Sequence, residues 1–411
     1  MTRTMARGGR LGSVAIAVAT LAVAPRALAD GDGFKIGEAG RLHLYGQINA
    51  GYDSNALFAS SGAAVGSGVM DFIPGLKLDV AGHMVSLTLD ANLDYKLYLS
   101  SEAQAYDLSH LFGGASLGFD VNKEGTIGLQ FSDAFTSSPN TTSLSLDQST
   151  VSNYNVLNLA IPWRPGGGAL TITGSGQWML NTFETYGPPC NPAAPNCTNA
   201  NEFNFNQYGA KLQGKWAFLP RTAAVLEGSW FDRVPTNTSL SYPVQGVRVL
   251  GGGVGLVTSR LSATVEGGWG SVIDTPQVTG STWLANVELG YTVEGIIDAR
   301  VGWIHDFAAD VGTAYSVYDY DRVYLSLRWV LNRFTVKLDG SWEYVKYILN
   351  DVTGPIWQVT PAVDCELARW LIIGAYYTYS DRSTTTAPGQ TTIPAFNYSR
   401  NQIFGYVRAT W

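Results

Sequence analysis

Apolar and polar residues alternate without interruption in residues 85–99 of this chain. Because successive side chains of a β-strand point to opposite faces, this segment has one apolar face and one polar face. The same period of two recurs in residues 261–266 and 334–342, where Glu266 and Asp339 lie on the polar face. A charge that faces lipid is costly, so we expect the polar faces to line an aqueous lumen and the apolar faces to contact lipid.

The chain contains about eighteen segments of this kind, an even number that is typical of bacterial outer-membrane barrels. We predict an all-β fold, a transmembrane antiparallel up-and-down β-barrel with both termini in the periplasm. Short links such as residues 81–83 and 219–221 alternate with longer polar links such as 54–68, 184–202 and 383–397. The short links are expected to be periplasmic turns and the long ones extracellular loops. The predicted strands begin near Leu42, Met70, Met84, Ser109, Thr126, Ser152, Leu170, Asn204, Thr222, Gly246, Arg260, Thr282, Ile297, Asp321, Phe334, Ile356, Trp370 and Arg400.

The composition agrees with strands that have one face in lipid and the other in water. Only 14% of the residues are charged, and the mean hydropathy is +0.03, because the two faces cancel within any window. Tryptophan prefers the headgroup level of a membrane, so its 12 positions test the strand assignment. Trp303 and Trp357 lie toward the long links. The predicted membrane girdles are formed by Trp163, Trp178, Trp216, Trp230, Trp269, Trp283, Trp329, Trp342, Trp370 and Trp411.

The N-terminal residues have the order of a secretory signal peptide. Three arginines precede an apolar stretch, residues 11–24, and small residues follow it. We therefore expect residues 1–29 to be removed, residues 30–40 to form a short periplasmic segment without a plug, and residues 41–411 to form the barrel. Removal of four arginines leaves 22 basic residues against 33 acidic ones, a net charge of −11. Since Lys and Arg dominate phosphate binding, nucleic acid is not an expected partner.

Two cysteines and a glycine run could be mistaken for a metal or phosphate site. Cys190 and Cys197 lie in a link rich in Pro and Asn, and in an exported chain we expect them to form a disulfide. No further Cys or His lies close to them in sequence, so no metal and no cofactor is predicted. Residues 251–255 lack the Lys-Ser/Thr of a phosphate-binding loop and are expected to relieve crowding in a curved strand. Cys365 is expected to be unpaired on a strand.

No catalytic residue is predicted. Asp90 and Asp94 share a strand face, but at about 3.3 Å per residue they stand roughly 13 Å apart, too far for glycoside hydrolysis. His305 and Asp306 are adjacent in a strand and therefore point to opposite faces, which prevents a catalytic pairing. A hydrolase embedded in the barrel, using His305 or His110, remains an alternative hypothesis, as does an adhesion scaffold.

Charges of both signs share the polar strand faces, which suits a general pore more than a strongly ion-selective one. Three tyrosines have the same parity, and their rings either receive sugar rings or fill space on the inner wall. The predicted pore-lining residues are Asp90, Asp94, Lys96, Lys211, Lys215, Glu266, Glu288, Asp298, Arg300, Arg322, Arg328, Lys337, Asp339, Glu343, Tyr45, Tyr324 and Tyr406.

The first two predicted strands carry a family resemblance. Residues 51–58, Gly-Tyr-Asp-Ser-Asn-Ala-Leu-Phe, and residues 71–78, Asp-Phe-Ile-Pro-Gly-Leu-Lys-Leu, resemble the opening of the β-barrel porin 2 group. Members of that group are often found with exopolysaccharide secretion machinery, so the resemblance implies a conduit for a secreted polysaccharide. Ser54 stands where a second acidic residue would be expected.

We therefore expect an outer-membrane pore that exports a polysaccharide, with a general or solute-specific diffusion porin as the alternative. The expected partners are outer-membrane lipids, the transported polysaccharide or small solute, and a periplasmic polysaccharide export protein. The last strand ends on an aromatic residue, Trp411, which resembles the recognition signal of the barrel-assembly machinery.

Overall fold

The computed structural model describes residues 33–59, 64–106, 108–140, 150–185, 199–239, 241–273, 280–310, 317–348, 352–385 and 397–411. Within these ranges the chain forms nineteen strands, one short helix and two 3-10 turns, Pro165–Gly167 and Ala200–Phe203. The elements are β1 (Phe34–Ile36), β2 (Gly40–Asp53), β3 (Ser67–Ala81), β4 (Val85–Tyr98), α1 (Ser101–Ala105), β5 (His110–Val121), β6 (Leu129–Asn140), β7 (Thr150–Trp163), β8 (Leu170–Thr185), β9 (Phe205–Leu219), β10 (Thr222–Pro235), β11 (Val244–Leu256), β12 (Leu261–Ile273), β13 (Gly280–Val293), β14 (Ile297–Ala309), β15 (Val317–Leu331), β16 (Phe334–Tyr347), β17 (Thr353–Ala368), β18 (Leu371–Arg382) and β19 (Tyr398–Thr410).

Strands β2 to β19 form a closed antiparallel barrel. Each strand pairs with its neighbours in sequence, and β19 pairs with β2 from Gln402 opposite Asp53 to Thr410 opposite Tyr45. The predicted barrel of about eighteen strands is therefore confirmed. Strand β1 was not predicted from the sequence. It pairs with the first residues of β2, just beyond the point where the backbone of Trp411 bonds to that of Leu44.

The predicted strand starts all lie within four residues of the observed ones, and the largest difference is at β15, which begins at Val317 and not Asp321. The predicted alternation of connections also holds. Only two residues join β9 to β10 and β15 to β16, whereas residues 186–204 join β8 to β9. In the turn from β15 to β16, Asn332 adopts a φ of 57°, as two-residue hairpin turns require.

Exposed apolar side chains lie on the outer face of every one of the eighteen barrel strands. On β4, for example, Val85, Leu93 and Tyr95 are exposed while Asp90 and Asp94 point the other way. A closed barrel pairs all its backbone groups and can therefore present such a surface to hydrocarbon. These strands therefore make the protein an integral outer-membrane β-barrel. Among the described residues, no helix is long and apolar enough to cross a membrane.

The tryptophans of the predicted girdles lie on this outer face at two levels. Trp163, Trp216, Trp329, Trp370 and Trp411 are exposed near the short turns or the C-terminus. Toward the long connections, Trp230, Trp269, Trp283 and Trp357 are exposed, and Trp178, Trp303 and Trp342 are partly covered. Their contact with lipid headgroups remains a prediction, based on the preference of indole rings for that level.

Candidate permeation pathway

The structure places all seventeen predicted pore-lining residues on the strand face opposite the exposed apolar side chains. On β16, Lys337, Asp339 and Glu343 point inward while Phe334 and Tyr344 are exposed on the outside. That these residues line a permeation route remains a prediction.

Many of the inward charges are paired with each other. Lys211 on β9 lies 2.6 Å from Glu227 on β10, and Lys337 on β16 lies 2.5 Å from Asp364 on β17. Elsewhere a neutral group satisfies the carboxylate, since Ser326 donates to Asp339 over 2.7 Å. Such cross-strand pairs reduce the net field of the wall, so the lumen surface is polar without being dominated by one sign of charge.

The three tyrosines among the predicted pore-lining residues lie flat against the wall. Each ring crosses a glycine on the neighbouring strand, and each hydroxyl donates to a carboxylate on the strand beyond. One face of every ring is therefore occupied by backbone, which leaves the other face toward the lumen. In the order tyrosine, glycine, carboxylate, the rows are Tyr45–Gly75–Asp90, Tyr324–Gly302–Glu288 and Tyr406–Gly374–Asp364.

Replacing Gly302 with valine tests whether this arrangement stabilises the barrel. A Cβ at this position would lie 2.3 Å from the Tyr324 ring, so the ring must leave and its hydroxyl must lose the 2.6 Å bond to Glu288. We expect the free energy of unfolding to fall by about 2–3 kcal/mol in denaturant titrations. The control is Gly228→Val on the outer face of β10, where a Cβ meets nothing within 4 Å. An equal fall in the free energy of unfolding for Gly302→Val and Gly228→Val would contradict this role of Gly302.

The extracellular end of β14 leaves the wall and folds toward the lumen. Pairing with β13 stops at His305 opposite Ala285, yet β14 continues to pair with β15 as far as Ala309 opposite Val317. Beyond His305, β14 therefore pairs with no described residue of β13.

Two arginines on distant strands bind this end of β14. Arg248 on β11 donates to the carboxylate of Asp306 over 2.9 Å and to the carbonyl of Phe307 over 2.6 Å. Arg233 on β10 donates to the carbonyl of Ala309 over 2.7 Å. Along the wall, β10 and β14 are four interstrand spacings apart, about 19 Å, which exceeds the reach of an arginine side chain. The end of β14 therefore projects inward from the wall.

The ring of Phe307 fills the space behind these bonds. The centroid of this ring lies 6.1 Å from that of the Phe231 ring, and Cζ of the Arg248 guanidinium lies 4.3 Å from the Phe307 centroid. A Cβ on Gly270 of β12 would come within 2.5 Å of this ring, so glycine makes room for it. Phe307 is 2% exposed and anchors an apolar cluster at the mouth of the barrel.

The connection from β2 to β3 also folds inward. Asn55 closes a turn by exchanging side-chain bonds with the backbone of Ala59, and Phe58 adopts a φ of 53°. Leu57 is buried against residues of α1, β4, β5 and β19, including Phe404. The mouth is therefore narrowed on two sides, and the 3-10 turn Ala200–Phe203 packs inward at a third point through Phe203.

The closure between the last and first barrel strands is held by a buried ion pair. Arg400 on β19 binds both carboxylate oxygens of Asp53 on β2, and its guanidinium lies 3.8 Å above the Phe58 ring. Asp53 is 1% exposed and Arg400 is 7% exposed. The pair joins residues that are 347 positions apart in the sequence. Asp53 belongs to residues 51–58, the segment that carries the family resemblance.

His305 and Asp306 lie on opposite faces of β14 and do not pair, which agrees with the prediction from the sequence. Nδ1 of His305 lies 3.0 Å from Asp321 on β15, and its Nε2 lies 3.2 Å from Thr282 on β13. The Trp283 ring stacks on the imidazole of His305, with the two ring centroids 3.9 Å apart. These contacts join β13, β14 and β15 at the level where β13 and β14 separate.

Two predictions concern parts of the chain outside the described residues. They are the signal peptide, residues 1–29, and the Cys190–Cys197 disulfide. Cys365 is free and partly covered on the lipid-facing side of β17. In the portion of the chain that the structure describes, no group of three or more His, Cys, Asp or Glu could hold a metal ion.

No protein-family model and no curated protein matches this chain. Solved structures with a similar path include Pseudomonas aeruginosa OpdK with vanillate, at 11% identity and a TM-score of 0.44, covering 90% of this chain and 99% of that one. Acinetobacter baumannii OccAB4 is similar at 10% identity and a TM-score of 0.46, over 91% and 99%. The FrpB iron transporter from Neisseria meningitidis is similar at 8% identity and a TM-score of 0.47, over 92% and 82%.

The residues that shape the mouth were not predicted from the sequence. Arg233, Arg248 and Asp306 were not among the predicted pore-lining residues, and neither were Asp53 and Arg400. Arg233 and Arg248 occupy positions that alternate with the outward residues of β10 and β11. The period of two could therefore have placed them on the polar face. Their partners lie on strands that are distant in sequence, so no local pattern indicated the contacts.

Proposed function

We propose that this protein is a passive outer-membrane pore for small polar solutes, with selection at the extracellular mouth. The observation that supports this function best is the end of β14, held inside the mouth by Arg233 and Arg248. A narrowed opening above a polar wall favours the passage of small hydrophilic molecules over large ones. The proposal requires no catalysis by the chain.

Reconstitution of the purified barrel in liposomes tests this function. We expect swelling in small sugars and amino acids to be faster than in empty liposomes, and to decline steeply as solute size increases. The outer-face variant Leu226→Ala on β10, which leaves the lumen unchanged, should behave as the original protein does. Swelling no faster than in empty liposomes would contradict the pore.

A conduit for a secreted polysaccharide is the second candidate. It is supported by the mixed and paired charges of the inner wall, which would bind a neutral polymer weakly, and by the resemblance of residues 51–58 and 71–78 to the β-barrel porin 2 group. Export would require the end of β14 to move away, and a periplasmic export protein to deliver the polymer.

Deletion of the gene distinguishes the two candidates. A diffusion pore predicts normal surface polysaccharide and reduced uptake of small solutes, whereas a polymer conduit predicts loss of surface polysaccharide that the intact gene restores. Unchanged polysaccharide in a strain without a second barrel of this kind would exclude the conduit.

A further inference from the structure

Among the Asp, Glu, Lys, Arg and His residues of the described strands, one lies on the outer face of the barrel at mid-height. Asp133 on β6 lies directly opposite Leu157, which is seven residues from Thr150 and six from Trp163 at the two ends of β7. The other Asp, Glu, Lys, Arg and His residues on outward positions lie within four residues of the extracellular end of their strands. They are Glu184, Asp232, His305, Asp319, Asp321, Lys346 and Asp381.

The surroundings of Asp133 are apolar apart from one amide. Phe131 and Phe135 flank it on the same face of β6, and Leu117 pairs with it from β5. Asn155 on β7 donates its Nδ2 to Asp133 Oδ1 over 3.0 Å. Among the described residues this is the one hydrogen bond that the carboxylate makes. A carboxylate at this depth is costly when it faces hydrocarbon, and such residues mark functional surfaces in membrane proteins.

We propose that the outer face of β6 and β7 around Asp133 and Asn155 binds a second copy of this chain. The patch carries an acceptor and a donor on adjacent strands at nearly the same depth, since Asn155 lies opposite Phe135, two residues from Asp133. A twofold axis along the membrane normal between these strands places each Asp133 against Asn155 of the second copy. Such an interface is self-complementary, as twofold contacts require.

The exchange of bonds explains why both residues are needed at this depth. The carboxylate oxygen that Asn155 leaves without a bond accepts the second amide hydrogen of Asn155 from the other copy, and the reverse contact is equivalent. Ala115 on β5 lies opposite Phe135. Its small side chain leaves room for the second copy to approach the neighbouring surface. Lipid tails supply no donor for this carboxylate, whereas the second copy supplies one without any further residue.

Mass measurement of the purified full chain in mild detergent and in lipid nanodiscs tests the proposal. We expect two chains per particle for the original protein and one for Asp133→Leu and for Asn155→Leu. Both variants should keep heat-modifiable migration and at least the original resistance to denaturant, because leucine suits a lipid-facing site. One chain per particle for the original protein would overturn the proposal. So would a two-chain Asp133→Leu with a weakened barrel, which would show that Asp133 only joins β6 to β7.

Cross-linking locates the interface. In a Cys365→Ala background, a cysteine at Leu157 beside Asp133 should form a cross-linked pair in membranes. A cysteine at Leu325, an exposed outward residue on β15, should not, because β15 lies nine strands away on the opposite wall. The background chain without an added cysteine is the control. Equal cross-linking from both positions, or capture of a different protein at Leu157 without the pair, would exclude the second copy as the occupant.

Discussion

Replacing both Arg233 and Arg248 with alanine is expected to increase the single-channel conductance and raise the size limit for solutes. The two side chains supply three bonds that hold the end of β14 inside the mouth. A hydrogen bond to a charged group contributes about 1.5–3 kcal/mol, so losing them shifts the balance toward a released end by on the order of 100-fold or more. Beyond His305, no described residue of β13 pairs with β14 to keep its end in place.

Planar bilayer recordings and liposome swelling measure both effects. Arg328→Ala is the matched control. It also removes an inward positive charge, but it lies near the short turns, opposite Asp298 and far from the extracellular end of β14. We expect this control to alter ion preference without raising the size limit. If the double variant and the control gave the same conductance and the same size limit, the end of β14 would not narrow the pore.

Removing one partner of the Asp53–Arg400 pair is expected to destabilise the barrel strongly. Arg400→Met keeps much of the side-chain volume but leaves Asp53 as an unpaired carboxylate that is 1% exposed. The loss of one partner from a buried ion pair costs about 3–5 kcal/mol. Because the pair joins β19 to β2, we also expect slower closure of the barrel during refolding.

Denaturant titration followed by tryptophan fluorescence measures this loss. Lys77 and Asp79 on β3 form the control pair, since their side chains are 34% and 38% exposed and such pairs contribute about 0–1 kcal/mol. Replacing Asp53 and Arg400 together by leucine should recover part of the stability, because neither charge of the pair is then left buried alone. An Arg400→Met variant as stable as the Lys77→Met control would show that the pair does not hold the closure.

Local patterns predicted most of the barrel correctly because membrane strands have a period of two. The inward positions of Lys337, Asp339 and Glu343 follow from the alternation with Phe334 and its neighbours, and need no knowledge of the partner strands. The start of β15 was placed four residues late, at Asp321. Here the strand extends beyond the membrane level, and the outer face no longer needs to be apolar.

The sequence by itself determined the number of strands, the face that each strand turns to lipid, and the alternation of short turns and long connections. All three depend on the contrast between hydrocarbon and water, which acts on each residue separately. Only the tertiary structure decided where the barrel closes, through Asp53 and Arg400, and which segment narrows its mouth, through Arg248 and the end of β14. These contacts join residues that are 347 and 58 positions apart, and closure of the barrel is what brings them within reach.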